Sequence, residues 1–280
     1  MCLIAFALDA APGVALRILA NRDEDLHRPT APLHRWTLDN GTPVIAGRDL
    51  RDGGTWLGIT PAGRVALLTN VRQADRETAP RSRGELATRW LAGGHDVAGF
   101  ADALSPADYG GFNLVIGDLA GGGWAWLSNR DPEAPHAPQR PLLHRRALGP
   151  GLYGLSNASL NTPWPKTQRL LAALDAAVRT PPRADHASAE PLLDTTPVPD
   201  EALPSTGVPL DWERALATPF VRAPDRAPHH AYGTRSSLSL TVSRGADGWA
   251  AHASEWTHVH DGQAPTLDPA RHRSERVVLG

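Results

Sequence analysis

Several residue types are scarce in this chain. One cysteine, Cys2, and one methionine, Met1, occur in 280 residues. A lone cysteine excludes an internal disulfide and a cysteine-built zinc site. Lys166 is the sole lysine, so arginine carries nearly all of the positive charge. No apolar run approaches the ~18 residues of a membrane-spanning helix. No basic stretch followed by a long apolar one opens the chain, so a secretory signal is not expected. The formal net charge of -2 leaves no electrostatic footprint for nucleic acid or an anionic membrane. A phosphate loop, a dinucleotide fingerprint and a nucleophile elbow are all missing. These absences predict a soluble, cytoplasmic protein with a small-molecule substrate or ligand.

An apolar content of 41% over 280 residues is enough for a full core. With no internal repeat and no clean linker, the expectation is one domain over residues 1–280, with a Pro-rich irregular stretch at about 181–209. Cys2–Leu8 and Val14–Ala20 read as an antiparallel hairpin around Ala11-Pro12-Gly13. The region from Arg28 to Leu50 reads as irregular because of Pro29, Pro32 and Pro43. Gly53–Thr60 and Arg64–Asn70 form a second hairpin. Ser82 with Glu85 three residues on predicts a capping box for a helix through Trp90. A second amphipathic helix is expected from Asp96 to Leu104. Phe112–Gly117 and Trp124–Ser128 are strands joined at Gly121-Gly122-Gly123, and Gly151–Ser156 is another. Trp164–Arg179 is the clearest helix, with Leu170, Leu171, Leu174 and Val178 on one side. Asp211–Leu216 reads as a short helix, Ser236–Ser243 with Trp249–Glu255 as a late hairpin, and Gln263–Arg276 as a polar tail. Antiparallel hairpins interrupted by helical pairs predict an α+β layered fold rather than a doubly wound parallel sheet.

The chemistry centres on Cys2. A small residue after the initiator Met is normally exposed by Met removal, which would place a thiol and a free α-amine on one residue. That amine, with an ordinary pKa of about 7.7–8.0, can act as general base for its own thiol. The alternative use of Cys2 is a small buried hydrophobe opening a strand. Four polar clusters accompany it. Asn21-Arg22-Asp23-Glu24 follows the second strand, and an Arg near a thiol favours thiolate. Asn70 ends a strand, where a side-chain amide can donate into an oxyanion hole or simply begin a turn. Asn157 ends another strand with the same pair of uses. Arg235 opens the late hairpin, where it can clamp a carboxylate or phosphate or pair with Asp23 or Glu24. His229-His230 and His258-Val259-His260 are the only tight histidine groups, and on a strand His258 and His260 would share a face and could ligate a metal or haem. No carboxylate or Cys stands at a familiar ligand spacing, so no metal site is predicted.

Taken together, Met1-Cys2, Ala20-Asn21-Arg22-Asp23-Glu24, Gly54-Thr55-Trp56-Leu57-Gly58, Leu68-Thr69-Asn70, Gly154-Leu155-Ser156-Asn157 and Gly233-Thr234-Arg235-Ser236-Ser237 resemble the NRDE family, also called the transport and Golgi organisation protein 2 family. That family is in turn similar to N-terminal nucleophile (Ntn) hydrolases of the choloylglycine hydrolase and penicillin acylase branch. The resemblance implies an Ntn-hydrolase-like four-layer αββα sandwich of two antiparallel sheets. It implies Cys2 as nucleophile, Arg22 and Asp23 as its supporting pair, and Asn70 as oxyanion donor. Asn157 would orient the amine and Arg235 would be the distal arginine. Asn21 and Glu24 are accessory candidates. In the branch the Arg and the Asp are separated. Here they are adjacent and point differently, which leaves Asp23 and Glu24 both open as the supporting acid.

The resulting expectation is a cysteine Ntn hydrolase or acyltransferase acting on an amide or thioester of a small molecule, with no cofactor. The alternative is a non-enzymatic binding or trafficking protein for haem or an acyl-coenzyme A, in which Arg22 and Arg235 pair with ligand anions and the nine tryptophans line a pocket.

Overall fold

The computed structural model describes residues 2–73, 79–121, 123–137, 141–179, 189–223, 231–245 and 248–280. Cys2–Ala11 (β1) turns at Gly13 into Val14–Asp25 (β2). Thr30–Thr37 (β3), Pro43–Asp49 (β4), Leu57–Ile59 (β5) and Arg64–Asn70 (β6) follow. Two helices, Gly84–Leu91 (α1) and Val97–Asp102 (α2), precede Phe112–Asp118 (β7), Trp124–Ser128 (β8), His144–Ala147 (β9) and Gly151–Leu155 (β10). Then come Pro165–Arg179 (α3), Leu210–Leu216 (α4), Arg222–Ala223 (β11), Tyr232–Gly245 (β12), Gly248–Thr257 (β13) and His272–Val278 (β14).

The strands form two antiparallel sheets. One runs β10-β1-β2-β12-β13-β14, with β11 on β12; the other runs β3 to β9 in sequence order. Period-two alternation explains how they stack. Ile4, Phe6, Leu8, Leu16 and Ile18 from the first sheet meet Ile45, Leu57, Ile59, Val65, Leu67 and Val115 from the second in one core. The outer face of the second sheet, with Ala66, Leu68, Leu114 and Ile116, is covered by Leu86, Trp90, Leu91 and Phe100 of α1 and α2. The outer face of the first, with Leu3, Ala5, Ala7 and Leu19, is covered by Leu170 and Leu174 of α3. Each strand face is thus buried against a neighbouring layer, which gives the αββα sandwich.

Several local expectations need correction. Residues 28–50 are not irregular. They carry β3 and β4, and Pro32 is accommodated because β3 is an edge strand with its register shift between Ala31 and His34. The capping box does not form: Arg83 is the N-cap without a side-chain bond, and Glu85 pairs with Arg81 instead. The polar tail contains β14, paired along β13. β2 does not stop at Ala20 but continues through Asn21-Arg22-Asp23-Glu24, held between β1 and β12. Residues 181–188 of the Pro-rich stretch, Met1, Gly122 and the pair His229-His230 lie outside the described residues. From 189 to 209 the chain makes two short 3-10 turns, Glu190–Leu193 and Asp200–Ala202. No described helix is long and apolar enough to cross a membrane.

Candidate active site

Cys2 pairs with Arg22 across β1 and β2. By alternation both share the face of Ile4 and Ile18, between the sheets. Cys2 is 7% exposed. Burial pushes its thiol up; Asp23 and Glu24 push the same way, and the Arg22 guanidinium pulls down without reversing the direction. A preformed thiolate is therefore not what Arg22 provides. Its guanidinium lies 4.3 Å over the Trp56 ring and reaches Thr30 Oγ1 at 3.2 Å and Asp49 Oδ2 at 3.4 Å. Trp56 is set in that position by Gly47, where a Cβ would lie 2.2 Å from the indole. Asp49 also accepts from Arg28, and Glu24 sits 3.9 Å from Arg22. Burial opposes ionisation of Glu24, yet the charges around it, Arg22 and Arg28 among them, hold it below the ordinary range.

Asp23 points to the opposite face of β2, under the α3 layer, and is buried. Its Oδ1 accepts from Thr234 Oγ1 at 2.7 Å. Burial raises its pKa; the Lys166 ammonium is the main side-chain charge acting the other way, with Thr234 and Arg72 behind it. Asn21 shares that face and is fully committed. It donates to the carbonyls of Leu192 and Pro219 at 2.7 and 2.9 Å and accepts from Ser237 Oγ at 2.6 Å. It fastens two loops to the sheet.

The two asparagines come together. Asn157 Nδ2 donates to the Asn70 backbone carbonyl at 3.0 Å and to its Oδ1 at 3.1 Å. Ser156 Oγ lies 3.2 Å from the Cys2 carbonyl and 3.1 Å from Asn157 Oδ1. Thr69 Oγ1 donates to the Ser156 carbonyl at 2.6 Å, and the Arg72 N–H donates to the Asn157 carbonyl at 2.8 Å. The single Ser156 hydroxyl hydrogen is thus shared between the Cys2 backbone carbonyl and the Asn157 side chain, and these contacts with the Asn157–Asn70 pair tie the two sheets together beside the cysteine.

Arg235 occupies the register shift of β12, since Thr234 pairs with Asp23 and Ser236 with Arg22. A bulge of this kind re-aims one side chain. Arg235 Nη1 donates to the carbonyls of Asp25 and Leu26 at 2.9 and 2.6 Å. The guanidinium is thus anchored at the far end of the Asn-Arg-Asp-Glu strand.

Five contributors escape sequence reasoning. Ser156 was noted only as part of a strand end. Arg72 and Glu213 form a buried ion pair, with Arg72 over the Trp164 ring at 4.6 Å. Tyr232 donates to the Asp23 carbonyl at 2.7 Å, and burial raises its pKa well above the ordinary value. Lys166, legible in the sequence only as the sole lysine, is 1% exposed, and its Nζ has no hydrogen-bond partner among the described residues. Its pKa is lowered to about 8 by burial first and Arg72 second, against Asp23, Cys2 and Glu213. His258 and His260 lie beyond β13: His258 Nε2 is 2.8 Å from Ser237 Oγ and His260 Nε2 is 2.9 Å from the Thr234 carbonyl. Among the described residues no three ligand-type side chains are grouped to hold a metal. Four of the nine tryptophans stand apart from one another: Trp56 lies under Arg22, Trp164 beside Arg72, Trp90 of α1 against Phe100 of α2 and Trp256 against His272.

Fold and site together describe a four-layer αββα protein with a buried cysteine at the start of its first strand, flanked by strand-end asparagines from both sheets. Comparison with known proteins gives the family. The profile described as Transport and Golgi organisation 2 matches residues 1–251. A Transport and Golgi organization protein 2 homolog from Bos taurus is 34% identical over 266 residues, covering 89% of this chain and 90% of the relative. The Homo sapiens homolog is 33% identical over 267 residues, with the same two coverages, 89% and 90%. The chain belongs to the Transport and Golgi organisation 2 family. Among solved structures, a mutant conjugated bile acid hydrolase from Clostridium perfringens aligns with TM-score 0.46 and 11% identity over 98% of this chain and 92% of that one.

Proposed function

We propose that this protein is a cysteine N-terminal nucleophile hydrolase or acyltransferase acting on an amide or thioester of a small molecule. The supporting observation is the cluster of polar contacts in which Ser156 reaches the Cys2 backbone carbonyl and Asn157, and Asn157 in turn holds Asn70. After Met1 removal, Cys2 Sγ attacks the substrate carbonyl carbon and its thiol proton passes to the α-amine. A base is needed because burial keeps the thiol protonated at neutral pH. The carbonyl π electrons move to oxygen, where Asn70 Nδ2 donates. The tetrahedral intermediate collapses, and the leaving amine or thiolate takes the proton from the α-ammonium. Water, or a second amine, then releases the acyl group from Cys2. Asp23 holds the ammonium, Asn157 holds Asn70, and Arg22 and Arg235 set the charge around the entrance with Glu24.

Intact mass is the first measurement: the purified protein should lack Met1. Incubation with a panel of amides and thioesters should then add an acyl mass to the wild type and not to Cys2→Ala. Retained Met1, or no adduct across the panel, sinks the reading. Saturable haem binding that survives Cys2→Ala and is lost in Arg235→Ala would put a carrier in its place.

A further inference from the structure

The α3 helix carries one buried stripe, Lys166, Leu170 and Leu174, spaced four apart. Leu170 and Leu174 pack on Leu3, Ala5 and Leu19. The lysine at the head of this stripe therefore faces the same side of the sheet. Asp23 is on that side, at the end of the series Arg17, Leu19, Asn21, Asp23. The far end of the helix is pinned by Arg17 Nη1, which donates to the Ala177 carbonyl at 2.7 Å. From Arg17 to Asp23 the strand advances about 20 Å. From Ala177 back to Lys166 the helix advances about 16 Å. The two elements run antiparallel and nearly in step, which brings the head of α3 over the Asp23 end of β2. Close seating is possible because Gly154 lacks a side chain: a Cβ there would lie 2.5 Å from Thr167 and 2.8 Å from Leu171.

Among the described residues the surrounding charges leave Lys166 one counter-charge. Arg72, following β6, and Glu213, from α4, are paired with each other. Glu213 is further held by the Thr206 N–H and hydroxyl. Cys2, from β1, is a protonated thiol. Among the described residues that leaves Asp23, from β2, as the carboxylate for an ammonium that is buried with no hydrogen bond to any of them.

We propose that Lys166 is a positioning residue of the Cys2 site: its buried ammonium keeps Asp23 ionised, and so keeps Asp23 able to hold the α-ammonium of Cys2. The role rests on the reading of Cys2 as an N-terminal nucleophile. It acts through Asp23 and involves no contact with substrate.

The sole lysine makes the test direct, because protein grown with lysine labelled with 13C at Cε gives one side-chain resonance. In the wild type its midpoint should fall near pH 8. In Asp23→Asn it should fall lower by about one pH unit, since the opposing charge is gone. On protein freed of Met1, Lys166→Met should slow iodoacetamide alkylation of Cys2 at pH 7 by at least about threefold. Lys166→Arg, which keeps the charge, should stay within about twofold of wild type. A lysine midpoint at the ordinary value of about 10.4 overturns the proposal, as does a midpoint indifferent to Asp23→Asn. Alkylation profiles of Lys166→Met that overlay wild type overturn it too. Retained Met1 sinks the nucleophile reading and this role with it, whereas an ordinary lysine titration sinks this role alone.

Discussion

Asn157 Nδ2 donates to two oxygens of one residue, the Asn70 backbone carbonyl and the Asn70 side-chain oxygen. The two residues belong to different sheets, so this contact fixes the separation of the sheets next to Cys2.

Asn157→Ala should cost about 1 kcal/mol, because it removes two part-buried hydrogen bonds to Asn70. Urea unfolding measures it. Asn70→Ala should leave stability closer to wild type yet slow acyl transfer to Cys2 by about 10²–10³-fold, as expected for a lost oxyanion donor. An equal rate in Asn70→Ala would remove that residue from the reaction.

The thiol is expected to ionise above the ordinary ~8.5, because burial raises it. The pH profile of iodoacetamide alkylation reads this. Arg22→Gln should move the profile further up, since the guanidinium favours thiolate; Glu24→Gln should move it down, since the carboxylate opposes thiolate.

The Arg72–Glu213 pair is buried on both sides. Arg72→Met should cost about 3–5 kcal/mol by leaving an uncompensated carboxylate. Adding Glu213→Leu should recover only part, because Thr206 then loses the acceptor of its N–H and hydroxyl. A double-mutant cycle in denaturant provides the figure.

His258 supplies a pH window. Burial first, and His260 second, lower its pKa to about 4, against an ordinary 6.5. The unfolded chain therefore binds the extra proton between these values, and stability falls as pH drops from about 6.5 to 4, by at most about 3 kcal/mol. Replacing His258 with Asn should flatten that segment of the stability curve. The carboxylates of Glu24 and Asp49 are held below their ordinary range and lose their contribution only at lower pH.

The parts of the fold most legible in the sequence were those with a solvent-free face. The β1–β2 hairpin, the helix α3 and the strand ends at Asn70 and Asn157 all carry apolar runs that declare themselves. Three of the missed strands, β3, β9 and β14, are sheet edges. Their exposed faces are polar, as in His272–Val278, where one residue of seven is buried, so no apolar alternation marks them. The Asn-Arg-Asp-Glu run, expected to follow the second strand, is instead part of β2. Its polarity reflects partners on two faces: Asp49 and Trp56 on one side, Thr234 and the residues under α3 on the other. The adjacency of Arg22 and Asp23 did forecast that they diverge, because alternation requires it. Lys166 left no local signal at all. Its significance lies in which layer the helix stripe meets, and that depends on the whole arrangement of layers.

The run Gly154 to Asn157 carries a mechanical consequence. Gly154 seats α3 and with it Lys166, Ser156 holds the start of β1, and Asn157 holds the opposite sheet. Four consecutive residues thus serve as a common datum for three otherwise separate parts. A one-residue insertion or deletion there would displace all three together. Divergence in this region of the chain should therefore proceed by substitution, with its length held constant.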